Sequence, residues 1–259
     1  MRTGVSIPPF TDPATLVAMA RDAEQAGWDG VFLWDHLVFD PGARLDVHDP
    51  WVLLGAMALA TERVTLGTLV TPLARRRPQM VARHLLTLDH LSGGRAVLGV
   101  GLGEPPDADF AAFGDPADPR ERAVLLDEGL AVVDGLLRGP LSYTGTRHRV
   151  DADLLPRPVQ QPRPPIWVAA IAPHRRPRAR ALRWDGIVPL GPGALLTPDE
   201  VTAYLAGFDR PAGWDVVVNT APGIPFEDYA AAGATWVVEG AWPVGGWVAD
   251  LRARIDAGP

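Results

Sequence analysis

Cysteine does not occur in this chain. Its absence excludes disulfides, thiolate zinc sites and thiol nucleophiles. Long apolar runs are missing as well. No window reaches about eighteen apolar residues, so no membrane-spanning helix is expected. The N-terminal MRTGVSIPPF lacks the apolar core of a signal peptide. Together these features lead to the expectation of a cytoplasmic protein. Positive charge is in deficit: 24 Lys and Arg stand against 31 Asp and Glu, a net charge of −7. A chain of that sign has no broad attraction for nucleic acid or for an anionic membrane surface.

What is abundant is glycine and proline, 27 of each, spread along 259 residues and not gathered into a linker. They punctuate the sequence into many short elements. Apolar runs of strand type occur at 4–8, 29–36, 64–71, 95–103, 165–170, 185–191, 214–221 and 234–242. Helical periodicity fills the intervals. Asp12-Pro13 and Asp49-Pro50 are N-caps followed by a first-turn proline. Asp118-Pro119-Arg120-Glu121 and Thr197-Pro198-Asp199-Glu200 read as capping boxes. The second of these leads into Val201, Leu205 and Phe208, and a last stripe runs Val244, Val248, Leu251, Ile255. Strands that are apolar without alternation, separated by amphipathic helices, imply a parallel sheet covered by helices. Eight such units in about 250 residues suit a single-domain (β/α)8 TIM barrel. An open doubly wound sheet is the alternative. Residues 139–164, rich in proline, read as an excursion after the fourth helix, with a small hairpin around Tyr143 to Val150.

The stretch LTLDHLSGGRAVLGVGLGEPP, residues 86–106, holds five glycines. It is a poor dinucleotide fingerprint, because its GVGLG forms the tail of a strand and Pro105-Pro106 delay the helix that such a turn requires. Ser92-Gly93-Gly94 reads as a helix stop and a tight turn. Gly99, Gly101 and Gly103 share one strand face. Their missing side chains predict a channel where a flat ligand approaches the backbone.

These motifs, in order, carry a resemblance. Ala26-Gly27-Trp28-Asp29-Gly30, Trp34-Asp35-His36, Thr65-Leu66-Gly67-Thr68, Arg77-Pro78, Leu88 to Arg95 and Leu98 to Gly103 are followed by Phe110 to Gly114, Arg120 to Arg122, Pro162 to Val168 and Trp184-Asp185-Gly186. The pattern resembles the bacterial-luciferase-like oxidoreductases, which include flavin (FMN)-dependent monooxygenases and deazaflavin (F420)-dependent dehydrogenases and reductases. The likeness covers about residues 1 to 190 and thins beyond.

The resemblance implies a TIM barrel with F420 or FMN at the C-terminal mouth and a small organic substrate. It also implies a homodimer that packs helices near the second and third strands. It places a non-proline cis peptide in the third strand, here at Gly67-Thr68, and a ring site beside Gly99, Gly101 and Gly103. The coenzyme phosphate would meet the segment after the fifth barrel strand, with Ala169, Ala170, Ile171, His174 and Arg175, and Gly191 on the other side. The sequence carries alanines at 169 and 170, where relatives often have a glycine pair. His36 is the candidate catalytic base, since an imidazole titrates near neutral pH; the alternative is a histidine that holds a loop. Glu104, directly after Gly103, is the candidate acid, expected in a half-buried mouth.

Other features invite plainer readings. Arg75 and Arg76 read either as exposed or as partners for an anionic tail. His84 and His90 read as structural. Trp34, Trp167, Trp236 and Trp242 read either as lining of an aromatic pocket or, for most of them, as core. Asp40, Asp46, His48 and Asp49 match no metal-ligand spacing, so no metal is expected. Two further functions stay open: a flavin-binding barrel without turnover, and an unrelated barrel enzyme acting on a phosphorylated metabolite.

Overall fold

The structure, a computed structural model, describes all residues of the chain except Ala194 and Phe208. The expected place of Phe208 in a helix stripe therefore lies outside the described residues. Strands β1 (Arg2–Ile7), β2 (Gly30–Leu33), β3 (Thr65–Pro72) and β4 (Ala96–Gly101) alternate with helices α1 (Pro13–Gln25), α2 (Pro50–Ala60) and α3 (Pro78–Leu91). After β4 come a single turn, α4 (Pro106–Asp109), the long helix α5 (Pro119–Arg138), and the hairpin β5 (Leu141–Thr144) and β6 (Arg149–Ala152). The remainder is β7 (Ile166–Ile171), α6 (Arg175–Ala181), β8 (Gly186–Leu190), α7 (Pro198–Leu205), β9 (Asp215–Asn219), α8 (Phe226–Ala231), β10 (Trp236–Gly240) and α9 (Trp247–Ala257).

The eight strands other than β5 and β6 pair in parallel in the closed order β1-β10-β9-β8-β7-β4-β3-β2. The fold is thus a TIM barrel, and the open doubly wound sheet is set aside. Local chemistry explains its helix starts. Asp12 Oδ1 accepts from Thr15 N at 2.9 Å, and Asp49 Oδ1 accepts from Trp51 N and Val52 N at 2.9 and 3.1 Å. Thr197 and Glu200 form the reciprocal capping box. At the other predicted box only Asp118 caps; Glu121 instead pairs with Arg147 of the hairpin turn. The last helix begins at Trp247, which leaves Val244 exposed outside it. Among the described residues no helix is long and apolar enough to cross a membrane.

Inside the barrel, Phe32, Trp167 and Trp236 meet with centroids 5.5, 5.5 and 5.6 Å apart. They close its N-terminal half. Gly30 makes this possible: a Cβ there would lie 2.7 Å from Phe32 Cζ and 2.9 Å from Trp236. Trp167 and Trp236 are therefore core, not mouth, because they project inward from the first halves of β7 and β10. The excursion is tied down by charge. Fully buried Asp89 accepts from Val159 N, Gln160 N and Gln160 Nε2, and Arg163 bridges Asp134 and Asp185.

Glu128 on α5 holds the hairpin turn. Its carboxylate accepts from the Thr146 hydroxyl and from the backbone N–H groups of Thr146, Arg147 and His148. Desolvation alone would raise its pKa, but these donors outweigh it and hold the group at about 2, against an ordinary 4.5. A lowered folded pKa means that the contribution is complete above the ordinary value and is lost as pH falls from about 4.5 through about 2. Glu128→Ala is expected to cost about 1 kcal/mol, given the solvent exposure, and to speed amide exchange at residues 141–152. Unchanged exchange there would show that the turn does not depend on this carboxylate.

Candidate active site at the barrel mouth

The mouth is built on an irregularity in β3. Thr68 pairs with Leu98, but the next pair is Thr71 with Val100, so β3 carries one residue more than β4 across this interval. The Leu69–Val70 peptide within the bulge is cis. The sequence expectation placed the cis bond at Gly67-Thr68. Thr68 is still in register with β4, so the irregularity starts only after it.

The glycines of β4 serve this bulge. A Cβ on Gly99 would lie 2.2 Å from Thr68 O, and one on Gly101 would lie 2.8 Å from Val70 Cγ2 and 3.3 Å from Ala169 Cβ. The expected open channel is therefore filled, by the Thr68 carbonyl at Gly99 and by the Val70 and Ala169 side chains at Gly101. Gly103 does a different job. It sits at φ +83°, where a Cβ would strike Pro72 and Phe110. Gly67 and Thr68 lie buried beneath the bulge, with Thr68 Oγ1 3.0 Å from Gly99 O and from Thr71 Oγ1.

His36 stands just beyond β2, with its side chain 17% exposed. Its Nδ1 lies 3.3 Å from Oδ2 of Asp109, the last residue of α4, whose side chain has no exposure. The other oxygen of Asp109 accepts from Leu37 N at 2.6 Å and Val38 N at 2.9 Å. Burial by itself would raise the Asp109 pKa; the His36 imidazole, the Val38 and Leu37 N–H groups and the nearby Arg75 charge together hold it below the usual carboxylate value. Neither atom has a hydrogen-bond partner of good geometry, so the contact is electrostatic; a carboxylate on this side favours a proton on Nδ1 over one on Nε2.

Behind this pair lies a charge cluster. Asp35, buried, accepts from Arg75 Nη2 at 3.1 Å, Arg76 Nη2 at 2.7 Å and Thr71 Oγ1 at 2.9 Å. Arg75 also donates to the Asp35 carbonyl and lies 3.6 Å from Asp109 Oδ2, and Arg76 reaches Asp49. Arg75 and Arg76 are thus buried structural cations, because Asp35 and Asp109 draw them inward. The sequence reading missed Asp109 as a partner of His36. Its only advance signal was an acidic residue in the first turn after the glycine-rich strand.

Glu104 departs from expectation. Its side chain is 66% exposed and 3.7 Å from Arg122. The Pro105-Pro106 pair that follows turns the chain outward, so the half-buried setting expected for an acid is absent. Ala169 and Val70 are half-buried against the interior cluster with Leu190, which makes the floor of the mouth apolar and small-featured. Ala170 is fully buried in the outer core. Ile171 is partly exposed, and His174, Arg175 and Arg176 are exposed at the start of α6; Gly191 follows β8. Trp34 and Trp242 stack edge to face at 5.5 Å beside His36. His84 rests against Trp51 at 5.7 Å, and His90 Nε2 lies 2.8 Å from Arg157 O, in agreement with structural roles.

Comparison with known proteins places this architecture. The structure superposes on the coenzyme F420 dependent tetrahydromethanopterin reductase of Methanopyrus kandleri with a TM-score of 0.78, at 19% identity over 99% of this chain and 96% of that one. It superposes on the monooxygenase RslO1 of Streptomyces bottropensis with a TM-score of 0.68, at 26% identity over 91% and 68% of the two chains. In sequence it is 41% identical over 167 residues to an F420-dependent glucose-6-phosphate dehydrogenase of Beutenbergia cavernae, covering 62% of this chain and 48% of that protein. The chain spans about half the length of the curated relatives it matches. A model of the luciferase-like monooxygenase family matches residues 1–218. With a closed barrel and a family match over most of its length, the chain belongs to the luciferase-like monooxygenase family.

Proposed function

We propose that residues 1–259 act as one barrel domain, an oxidoreductase that moves a hydride between coenzyme F420 and a small organic substrate. The observation that carries this reading is the His36–Asp109 pair beside the β3 bulge. Hydride chemistry on an alcohol or carbonyl needs a proton acceptor and donor at the reacting oxygen, and His36 Nε2 offers one. The donor set fits a planar tricyclic coenzyme. Val70 and Ala169 give an apolar floor for one ring face, and His174, Arg175 and the backbone near Gly191 give charge and N–H groups for an anionic tail. When bound, the coenzyme supplies the two-electron redox step. The chain's part is to position the substrate, exclude water and hold the proton on His36. Glu104, open to solvent, is left without a role in proton transfer.

Titration with F420 and with FMN, followed by tryptophan fluorescence, tests this. Saturable quenching by F420 is expected, with FMN weaker; no response to either at saturating amounts would end the reading. A second reading, FMN-dependent monooxygenation, is favoured by the similarity to RslO1 and would show as oxygen uptake with reduced FMN. Turnover of either kind removes the alternative of a non-catalytic flavin-binding barrel.

Asp109→Asn tests the pairing. The asparagine carbonyl can keep the Leu37 and Val38 hydrogen bonds, while its amide presents a donor to His36 Nδ1. The expected result is a 10- to 100-fold fall in kcat, on the scale reported for such supporting partners, with KM little changed. A shift of the His36 tautomer, read by nitrogen NMR, should accompany it. An unchanged tautomer would remove Asp109 from the mechanism.

We also propose a homodimer through α2 and α3. Helix α2 is apolar nearly throughout, and Val52 and Leu59 on its outer face are 76% and 75% exposed. Val52→Asp with Leu59→Asp should yield a monomer by light scattering if that face is the contact. A cytoplasmic location agrees with the cysteine-free composition.

A further inference from the structure

The substrate class can be read from the charge and shape of the mouth; this step rests on the oxidoreductase reading above. The mouth divides into two arcs of different chemistry. On the β7 side stand the exposed cations His174, Arg175 and Arg176. Around His36 the ring neighbours are aromatic: Phe39 at 5.2 Å, Phe10 at 6.3 Å and Trp34 at 6.3 Å, with Trp242 against Trp34 and itself 56% exposed.

The loops that frame this second arc are acidic. Residues 37–49 carry Asp40, Asp46 and Asp49 against a single Arg44, and residues 104–118 carry Glu104, Asp107, Asp109, Asp115 and Asp118 with no arginine. Residues 8–12, 219–225 and 240–246 contain no basic residue, and the chain has no lysine at all. The two arginines closest to His36 in the fold, Arg75 and Arg76, are buried and held by Asp35, Asp49 and Asp109. A phosphorylated substrate would bring a charge of about −2 into this arc. It would enter an arc whose loops carry net negative charge, and its hydroxyls would lie beside the aromatic rings around His36. If the β7 cations serve the coenzyme tail, none of them is left for a second phosphate.

We propose that the substrate is an uncharged alcohol, or its carbonyl partner, with an apolar body, and not a sugar phosphate. Trp34, Phe39 and Trp242 are its specificity-determining residues. Bound F420 would supply the acceptor for the carbinol hydride and its two electrons in oxidation. The O–H proton passes to His36 Nε2, and the C=O bond forms. Reduction runs the same steps in reverse. This separates the chain from the F420-dependent glucose-6-phosphate dehydrogenases to which it is similar.

The test uses cyclohexanol, benzyl alcohol and glucose 6-phosphate as probes. Saturation-transfer NMR is recorded on the chain alone and with F420, and turnover is read from the loss of oxidised F420 absorbance. The apolar alcohols should bind saturably and be oxidised with at least a hundredfold higher kcat/KM than glucose 6-phosphate. Trp242→Ala should weaken alcohol binding at least tenfold while leaving F420 affinity within twofold. Phe39→Ala should act in the same direction. Preference for glucose 6-phosphate, absence of alcohol binding, or alcohol binding indifferent to Trp242→Ala and Phe39→Ala overturns the proposal. Failure of F420 to bind overturns the F420 hydride-transfer reading instead, while alcohol binding to the chain alone still decides the substrate class.

Discussion

His36→Gln is expected to lower kcat for substrate oxidation about 10²- to 10⁴-fold, the usual range for a lost general base, while F420 binds with little change. The reason lies in the position of the imidazole. Its Nδ1 is occupied by buried Asp109 and its ring is walled by Phe10, Trp34 and Phe39. Glu104, the other acid–base candidate of the sequence, lies out in solvent. Glutamine keeps a polar side chain of similar reach but cannot accept a proton at neutral pH. Single-turnover kinetics with preloaded coenzyme separates the chemical step from release. A fall of less than tenfold in that step would show that the proton goes elsewhere.

Asp35→Ala is expected to be the most damaging change to stability, about 3–5 kcal/mol, because it leaves buried cations without their shared partner. Arg75 would keep the Asp35 carbonyl and Asp109 at 3.6 Å, Arg76 would keep only the half-exposed Asp49 as a carboxylate partner, and the Thr71 hydroxyl would keep only Thr68 Oγ1. Arg138→Ala, which removes the exposed i,i+4 contact and leaves Asp134 paired with Arg163, is the internal control and should cost about 0.3–0.5 kcal/mol. Urea unfolding of the two variants would give the difference, and a loss below about 1 kcal/mol for Asp35→Ala would mean that the cluster relaxes around the gap. The same cluster sets an acid limit. Burial pushes the Asp109 and Asp49 pKa values up, but neighbouring N–H groups and the His36, Arg75 and Arg76 side chains bring both below the ordinary 3.8. Their contribution is therefore complete above that value and fades as pH falls through the lowered ones.

The architecture was legible before any coordinates because its determinants are local. Asp12-Pro13, Asp49-Pro50 and Thr197-Pro198 start helices through hydrogen bonds within three residues, and apolar strands between amphipathic helices leave few sheets to build. The position of His36 at the mouth also followed from order alone, since it comes directly after the second strand. The site was legible only as a set of candidates. Glu104 looked apt because it follows Gly103, yet the two prolines after it carry it into solvent. Arg75 and Arg76 looked like surface charge, yet Asp35 holds both.

What the sequence by itself determined is the eight-fold alternation, the helix caps and the family motifs, all written in spacings of a few residues. What only the tertiary structure decided is the fill of the glycine window and the partner of the histidine. Gly99 faces the bulge of another strand, and Asp109 caps a loop 72 positions away at Leu37. Contacts of that span depend on how strands register around the closed barrel. That register is a property of the whole ring of strands and is not encoded in any one segment.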